Sequence, residues 1–257
     1  MRRGFLFLVC LNLSMGASPV FAAEASLRSS TVFLSDVLKA RQQDETANPG
    51  MLWVSEGEEL WQKAEGAEGK SCASCHGDAK TSMTGVAARY PAADPVTGKI
   101  LNLELRINRC RADRQKVAAL PYESEELLAL TAYVARQSLG MPLTVKIDGA
   151  AAPFYERGKT FFYLRQGQIN LSCAHCHEDN AGRNLRGDII SSGVPAGYPA
   201  YRLEWQTLGS LHRRLRACAL GIRAVQFPYG SEEYVSLELF LAKRAEGLPI
   251  ETPAIRK

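Results

Sequence analysis

Leu127, Leu130 and Val134 are spaced three and four apart behind Ser124, Glu125 and Glu126. This predicts a helix capped by serine, with acids in the first turn where the dipole favours them and a buried stripe behind. Leu237 and Leu241 behind Ser231, Glu232 and Glu233 predict another, and each helix should stop at a glycine, Gly140 or Gly247, ahead of a proline. Ser55 and Glu58 have capping-box spacing and predict a helix over Glu58 to Ala67, with Leu60 and Trp61 facing inward. Phe154-Tyr155 and Phe161-Phe162 recur at helical spacing, and Leu211, Leu215 and Ile222 mark the buried face of a further helix. Nearer the start, Phe33-Leu34 and Val37-Leu38 offer one short amphipathic helix, broken by Asn48-Pro49-Gly50.

From Met51 onward these elements belong to one unit present twice. Tyr90-Pro91-Ala92 matches Tyr198-Pro199-Ala200, and Arg106-Ile-Asn-Arg-Cys110 matches Arg214-Leu-Arg-Ala-Cys218. Pro121-Tyr122-Glu123-Ser124-Glu125-Glu126 corresponds to Pro228-Tyr229-Gly230-Ser231-Glu232-Glu233, and Gly140-Met141-Pro142 to Gly247-Leu248-Pro249. The expected fold is mainly α: two tandem domains arising from an internal duplication, over 51–145 and 146–257, with an N-terminal arm over 23–50. The linker is expected near Pro142 to Pro153.

Composition adds a compartment. Arg2 and Arg3, the apolar run Phe5 to Leu11 and the small residues around Ala22 read as a signal peptide over 1–22, too short in its apolar part to span a bilayer. The mature chain is expected in the periplasm, with no membrane anchor. Losing Arg2 and Arg3 lowers the net charge from +4 to +2, a balance that favours no nucleic acid.

Of the seven cysteines, Cys10 leaves with that peptide. Four of the remaining six form Cys72-Ala-Ser-Cys75-His76 and Cys173-Ala-His-Cys176-His177. Cys-x-x-Cys-His attaches a c-type haem covalently, with the adjacent His placed on the iron. Helix, haem sequence, long loop and closing helix is the order of a cytochrome c domain, so two covalently attached haem c groups are expected. A Cys₃His zinc site is the nearest alternative, but adjacent Cys and His in both motifs strain joint coordination of one small ion. His175, between two thiols, is expected to be solvated or hydrogen-bonded.

Cys110 and Cys218 remain. No methionine follows Cys176, which excludes a methionine from this chain as distal ligand of the second haem and leaves Cys218, His212 or a lysine. The duplication favours one answer for both, His76 with Cys110 and His177 with Cys218, although a Cys110–Cys218 disulfide is an alternative. A thiolate lowers the haem potential relative to methionine. Arg214 lies one helical turn before Cys218 and would lower its thiol pKa and attract a small dianion, whereas Arg213 and Arg216 read as a solvated face or as propionate partners.

The two motifs with their distal cysteines, Asn48-Pro49-Gly50-Met51-Leu52-Trp53, Arg214-x-x-x-Cys218 and the ending Gly247-Leu248-Pro249-Ile250-Glu251-Thr252-Pro253 resemble the SoxA family, dihaem subunits of the SoxAX cytochrome of bacterial thiosulfate oxidation. The resemblance covers nearly all of the mature chain. It implies an L-cysteine S-thiosulfotransferase that joins thiosulfate oxidatively to a cysteine of the carrier SoxYZ. It further implies a heterodimer with the monohaem subunit SoxX, and electrons passing to a c-type cytochrome. By position, Cys72 and Cys75 anchor haem 1 with His76 and Cys110 axial, and Cys173 and Cys176 anchor haem 2 with His177 and Cys218 axial. Cys218 is then also the active-site residue, modified to a persulfide, and Arg214 holds the anion. Ala219-Leu220-Gly221-Ile222 stands where many members have a methionine before the arginine. The rival reading is a dihaem electron-transfer protein without substrate chemistry.

Overall fold

The computed structural model describes Met1 and residues 27–257, so the signal peptide expected over 1–22, with Cys10, lies outside the described residues. After a 3-10 turn at Ser30–Phe33 comes α1 (Asp36–Gln43), then α2 (Met51–Gln62), α3 (Cys72–His76), α4 (Ala79–Ser82), α5 (Leu103–Cys110) and α6 (Glu125–Arg136). The second unit repeats the later four longer parts as α7 (Ala152–Tyr163), α8 (Cys173–His177), α9 (Leu211–Gly221) and α10 (Glu232–Arg244). No helix among the described residues is long and apolar enough to cross a membrane.

Two local expectations are corrected. The single helix read around Phe33 to Leu38 is split, because the Ser35 side chain accepts the Leu38 amide hydrogen and caps α1 there. Helix α2 starts at Met51 and ends at Gln62, well ahead of the expected Glu58 to Ala67, and Ser55 is exposed in mid-helix. Here packing outweighs the local cap: the earlier start buries Val54, Gly57 and Trp61. Ser124 and Ser231 cap α6 and α10 as expected, accepting the amide hydrogens of Leu127 and Tyr234.

In each unit the first long helix crosses the last at a glycine. A Cβ on Gly57 would stand 2.2 Å from the Ala129 carbonyl oxygen, and one on Gly158 would stand 1.9 Å from that of Ser236. No side chain fits there, so α2 lies directly on α6 and α7 on α10. Helix α6 is buried along Leu127 to Ala135, on more than the one stripe that its spacing predicts. A helix buried all round has neighbours on every side: besides α2 and α5 of its own unit, Leu208 and Tyr201 of the other unit join its apolar cluster.

The halves meet about an approximate two-fold axis. The chain after α6 pairs with the chain after α10: Gly140 N donates to Ile250 O at 2.9 Å, Ile250 N to Met141 O at 2.9 Å, and Leu143 N to Leu248 O at 3.0 Å. Tyr122 stacks on its own counterpart Tyr229, with ring centroids 5.4 Å apart. Ile100 of the first unit packs in one cluster with Val235 and Leu239 of α10, and Leu208 of the second with Trp61 and Tyr133.

Short strands carry the long loops: β1 (Ala92–Ala93) with β2 (Ile100–Leu101), β3 (Asn184–Leu185) with β4 (Asp188–Ile189), and β5 (Ala200–Arg202) between β6 (Thr207–Gly209) and β7 (Ala254–Arg256). The arm clasps β7. Asn48 Nδ2 donates to Pro253 O at 2.9 Å, and Gln42 Oε1 accepts from Ile255 N and Arg256 Nη1, each at 2.9 Å.

A buried polar cluster lies beside the axis. Asn102 Nδ2 donates to Tyr122 Oη at 2.8 Å and to Glu238 Oε2 at 3.0 Å, and Glu104 is buried beside them. Burial, then the charge of Glu238, pushes the Glu104 carboxyl well above its ordinary value of 4.5. The folded chain therefore keeps a proton that the unfolded chain has lost, and stability falls as pH rises from that value through the raised one. Glu104→Gln, neutral at every pH, is expected to melt about 2–4 °C above the parent at pH 8 and level with it at pH 4, by calorimetry. Equal melting temperatures at pH 8 would show that Glu104 is not protonated.

Candidate haem and substrate site

Each attachment motif is a single helical turn with a serine in front. Ser71 and Ser74 cap α3 reciprocally, each backbone N–H donating to the other's Oγ at 3.0 Å. That turn sets Cys72 and Cys75 on one face with His76 beside them, and Trp61 stands 5.7 Å from the His76 ring while donating to Gly77 O at 3.0 Å. Cys110, at the end of α5, closes the far wall. Between them lies a mostly apolar cavity of about 550 Å³ whose lining includes Cys72, Cys75, His76 and Cys110.

Those walls fit a haem. Arg89, Arg106, Arg111, Arg114 and Lys146 line the same cavity, suited to propionates, and Arg111 Nε is buried without a partner. Burial pushes the Cys72 thiol up to about 11 and the Cys173 thiol to about 12, so neither is poised as a thiolate ligand. Among the described residues no three His, Cys, Asp or Glu side chains converge on a metal position, which removes support for the Cys₃His zinc alternative. All six described cysteines are free thiols, Cys110 and Cys218 included.

The second unit brings Cys173, Cys176, His177, Arg214 and Cys218 together. His175 takes the place of Ser74: its Nδ1 accepts the Ser172 amide hydrogen at 3.1 Å, which makes it a cap. The His177 Nδ1 lies 2.7 Å from Ser191 O and donates to it, which orients the ring, and the imidazole also hydrogen-bonds the Cys218 sulfur. Gly193 makes room for that ring, since a Cβ there would stand 3.0 Å from His177 Cγ. Ser210 caps α9 and sets Arg214 and Cys218 one turn apart on a single side.

Burial alone would push the Cys218 thiol up. The His177 imidazole and the charges of Arg214 and Arg202 outweigh it and bring the thiol down to about 7. The neighbouring Cys218 charge in turn raises the Arg214 pKa, against burial. Arg213 and Arg216 are neither a plain solvated face nor free for propionates: they lie over the rings of Trp205 and Tyr229 at 4.3 and 4.7 Å, and Arg216 also donates to Phe227 O. Arg214 forms no salt bridge among the described residues, whereas its counterpart Arg106 stands 3.9 Å from Asp94. His212 is fully buried at the interface, its Nδ1 accepting from Gly230 N at 3.0 Å and its Nε2 3.2 Å from Glu238. Both ring nitrogens are engaged, which rules it out as a distal ligand.

Comparison with known proteins agrees with this geometry. The family model described as SoxA/TsdA, cytochrome c domain, matches twice, over residues 56–143 and 157–250. The L-cysteine S-thiosulfotransferase subunit SoxA of Pseudaminobacter salicylatoxidans is 40% identical over 230 residues, covering 89% of this chain and 80% of that protein. The chain belongs to the SoxA family. The SoxA subunit of Paracoccus pantotrophus is 38% identical, covering 93% of this chain and 83% of its own. A chain in the crystal structure of SoxXA from P. pantotrophus superposes with a TM-score of 0.86 at 38% identity, covering 90% of this chain and 87% of that one. The fold is therefore that of two cytochrome c-like units, and a cytochrome c domain implies covalently bound haem c.

Three features of this SoxA-family site escaped the sequence reading: Ser191, Gly193 and Arg202. The first two lie in a loop that the first unit does not share. Arg202 had a signal, since it stands two residues past the matched Tyr198-Pro199-Ala200 where the first unit has Asp94.

Proposed function

We propose that this chain is the dihaem subunit of an L-cysteine S-thiosulfotransferase, exported to the periplasm, paired with a monohaem SoxX partner and acting on thiosulfate and the carrier SoxYZ. One observation carries the reading: Cys218 sits one turn beyond Arg214, a guanidinium that makes no salt bridge among the described residues. An electron carrier needs neither a nucleophile nor an anion site.

Cys72, Cys75, His76 and Cys110 would hold one haem c, and Cys173, Cys176, His177 and Cys218 the other. When bound, haem supplies one-electron redox chemistry and passes electrons to an external c-type cytochrome. The protein's part is binding and positioning. Arg214 holds thiosulfate with its outer sulfur towards Cys218, and His177, held by Ser191, keeps its ring fixed. The Cys218 thiolate and thiosulfate join through a new S–S bond with loss of two electrons, giving Cys218–S–S–SO₃⁻. A carrier thiolate then attacks the sulfur bonded to the sulfonate, takes the S–SO₃⁻ group and releases the Cys218 thiolate, which balances as thiol–disulfide exchange. If Cys218 carries a persulfide, the same exchange runs at its outer sulfur.

The mature protein should have an intact mass that includes two haems, and with SoxX, SoxYZ and thiosulfate it should give a carrier species heavier by the added S–SO₃ group. A mass with fewer than two haems, or two haems reduced by thiosulfate with no carrier adduct, would defeat this reading.

A further inference from the structure

The duplication provides an internal comparison at the substrate site. Ala92 pairs with Leu101 as Ala200 pairs with Gly209, so Asp94 and Arg202 occupy the same register position in the two units. In the first unit the Asp94 side chain is 1% exposed, takes the Arg109 guanidinium at 2.5 Å and stands 3.9 Å from Arg106. The arginine one turn before Cys110 thus has a buried carboxylate close by, shared with Arg109. In the second unit the corresponding position carries a further cation.

Arg202 is held in place. It is 7% exposed, its guanidinium lies 5.0 Å from the Trp205 ring centroid, and its Nε is buried with no hydrogen-bond partner. Its carboxylate neighbour Glu204 is 3.5 Å away with a side chain 68% exposed, so water screens that pair. A buried donor without a partner costs free energy until an acceptor reaches it. Guanidinium groups present rigid forks that match the paired oxygens of an oxyanion.

We infer that Arg202 is a second substrate-binding residue which, together with Arg214, selects a dianion with sulfonate-type oxygens over monoanions. Asp94 at the same position is what withholds such a site from the first unit. The inference rests on the proposed reaction for its substrate class and on the Asp94-to-Arg202 inversion for its location. Arg202 binds one end of the anion while Arg214 holds it beside Cys218.

The test uses the haem-loaded heterodimer and isothermal titration calorimetry with thiosulfate and, as a monoanion, thiocyanate. Arg202→Gln is expected to raise the thiosulfate Kd about tenfold or more while changing thiocyanate binding less than about threefold. In turnover it should raise KM for thiosulfate. Arg202→Lys should recover part of the lost affinity. Haem absorption and intact mass identical to the parent show that the variants fold. An unchanged thiosulfate Kd in Arg202→Gln, or equal weakening of both anions, overturns the inference. It does so without touching the proposed reaction if the parent still conjugates the carrier. Conversely, a parent that binds thiosulfate through Arg202 but forms no conjugate defeats the reaction and upholds the anion site.

Discussion

Replacing Cys218 by Ala is expected to lower carrier conjugation by about 10³-fold or more while the protein keeps two attached haems. The size follows from chemistry: without that sulfur no covalent intermediate forms, and positioned charges alone recover little of a nucleophile's contribution. Attachment is unaffected because it runs through Cys72, Cys75, Cys173 and Cys176, none of which lies on α9. Cys218→Met is the more discriminating variant, since it keeps a soft sulfur donor beside His177 but cannot be thiosulfonated. If Cys218 served only as a ligand, Cys218→Met would conjugate the carrier at close to the parental rate. Mass spectrometry of SoxYZ, with absorption spectra of the haems, separates the two. Undiminished conjugation in both variants would leave an electron-transfer role as the surviving account.

Removing attachment in the first unit is expected to have an effect of comparable size on stability. The walls around Cys72, Cys75, His76 and Cys110 enclose about 550 Å³. That space opens partly to solvent, so without its group the apolar lining is left to water, at about 1.5–3 kcal/mol for each large side chain uncovered. The apolar part of the lining includes Trp61, Met83, Val86, Leu103, Ile107 and Val134. Cys72→Ser with Cys75→Ser, stripped of haem by acid and returned to neutral pH, should therefore lack near-ultraviolet circular dichroism and be cut rapidly by protease. A haem-free double variant that stays folded at 37 °C would show that these walls collapse without their group.

Much of this was readable from the chain. Helices α6 and α10 were legible because Ser124 and Ser231 are local caps with periodic leucines behind them, and there packing and local signal agree. The start of α2 was not, because Ser55 mimics a cap while the deciding contact, Gly57 on the Ala129 carbonyl, joins residues far apart in sequence. The burial of α6 on every side was hidden for the same reason, since Leu208 and Tyr201 in its apolar cluster belong to the other unit. In the site, Cys218 and Arg214 were legible because their spacing of four is itself the geometry that matters. Arg202 was not, since its weight comes from lacking a partner, and only coordinates reveal that.

The clasp between the arm and β7 bears on the order of events in the making of the protein. The arm leaves the ribosome well before the groups that hold it, since Pro253, Ile255 and Arg256 lie 205 to 214 residues further along the chain than their partners. Each half, with its own motif, is complete before that clasp can close. The arm must therefore wait for the second half to emerge, and a chain cut before Pro253 would leave the arm without its seat.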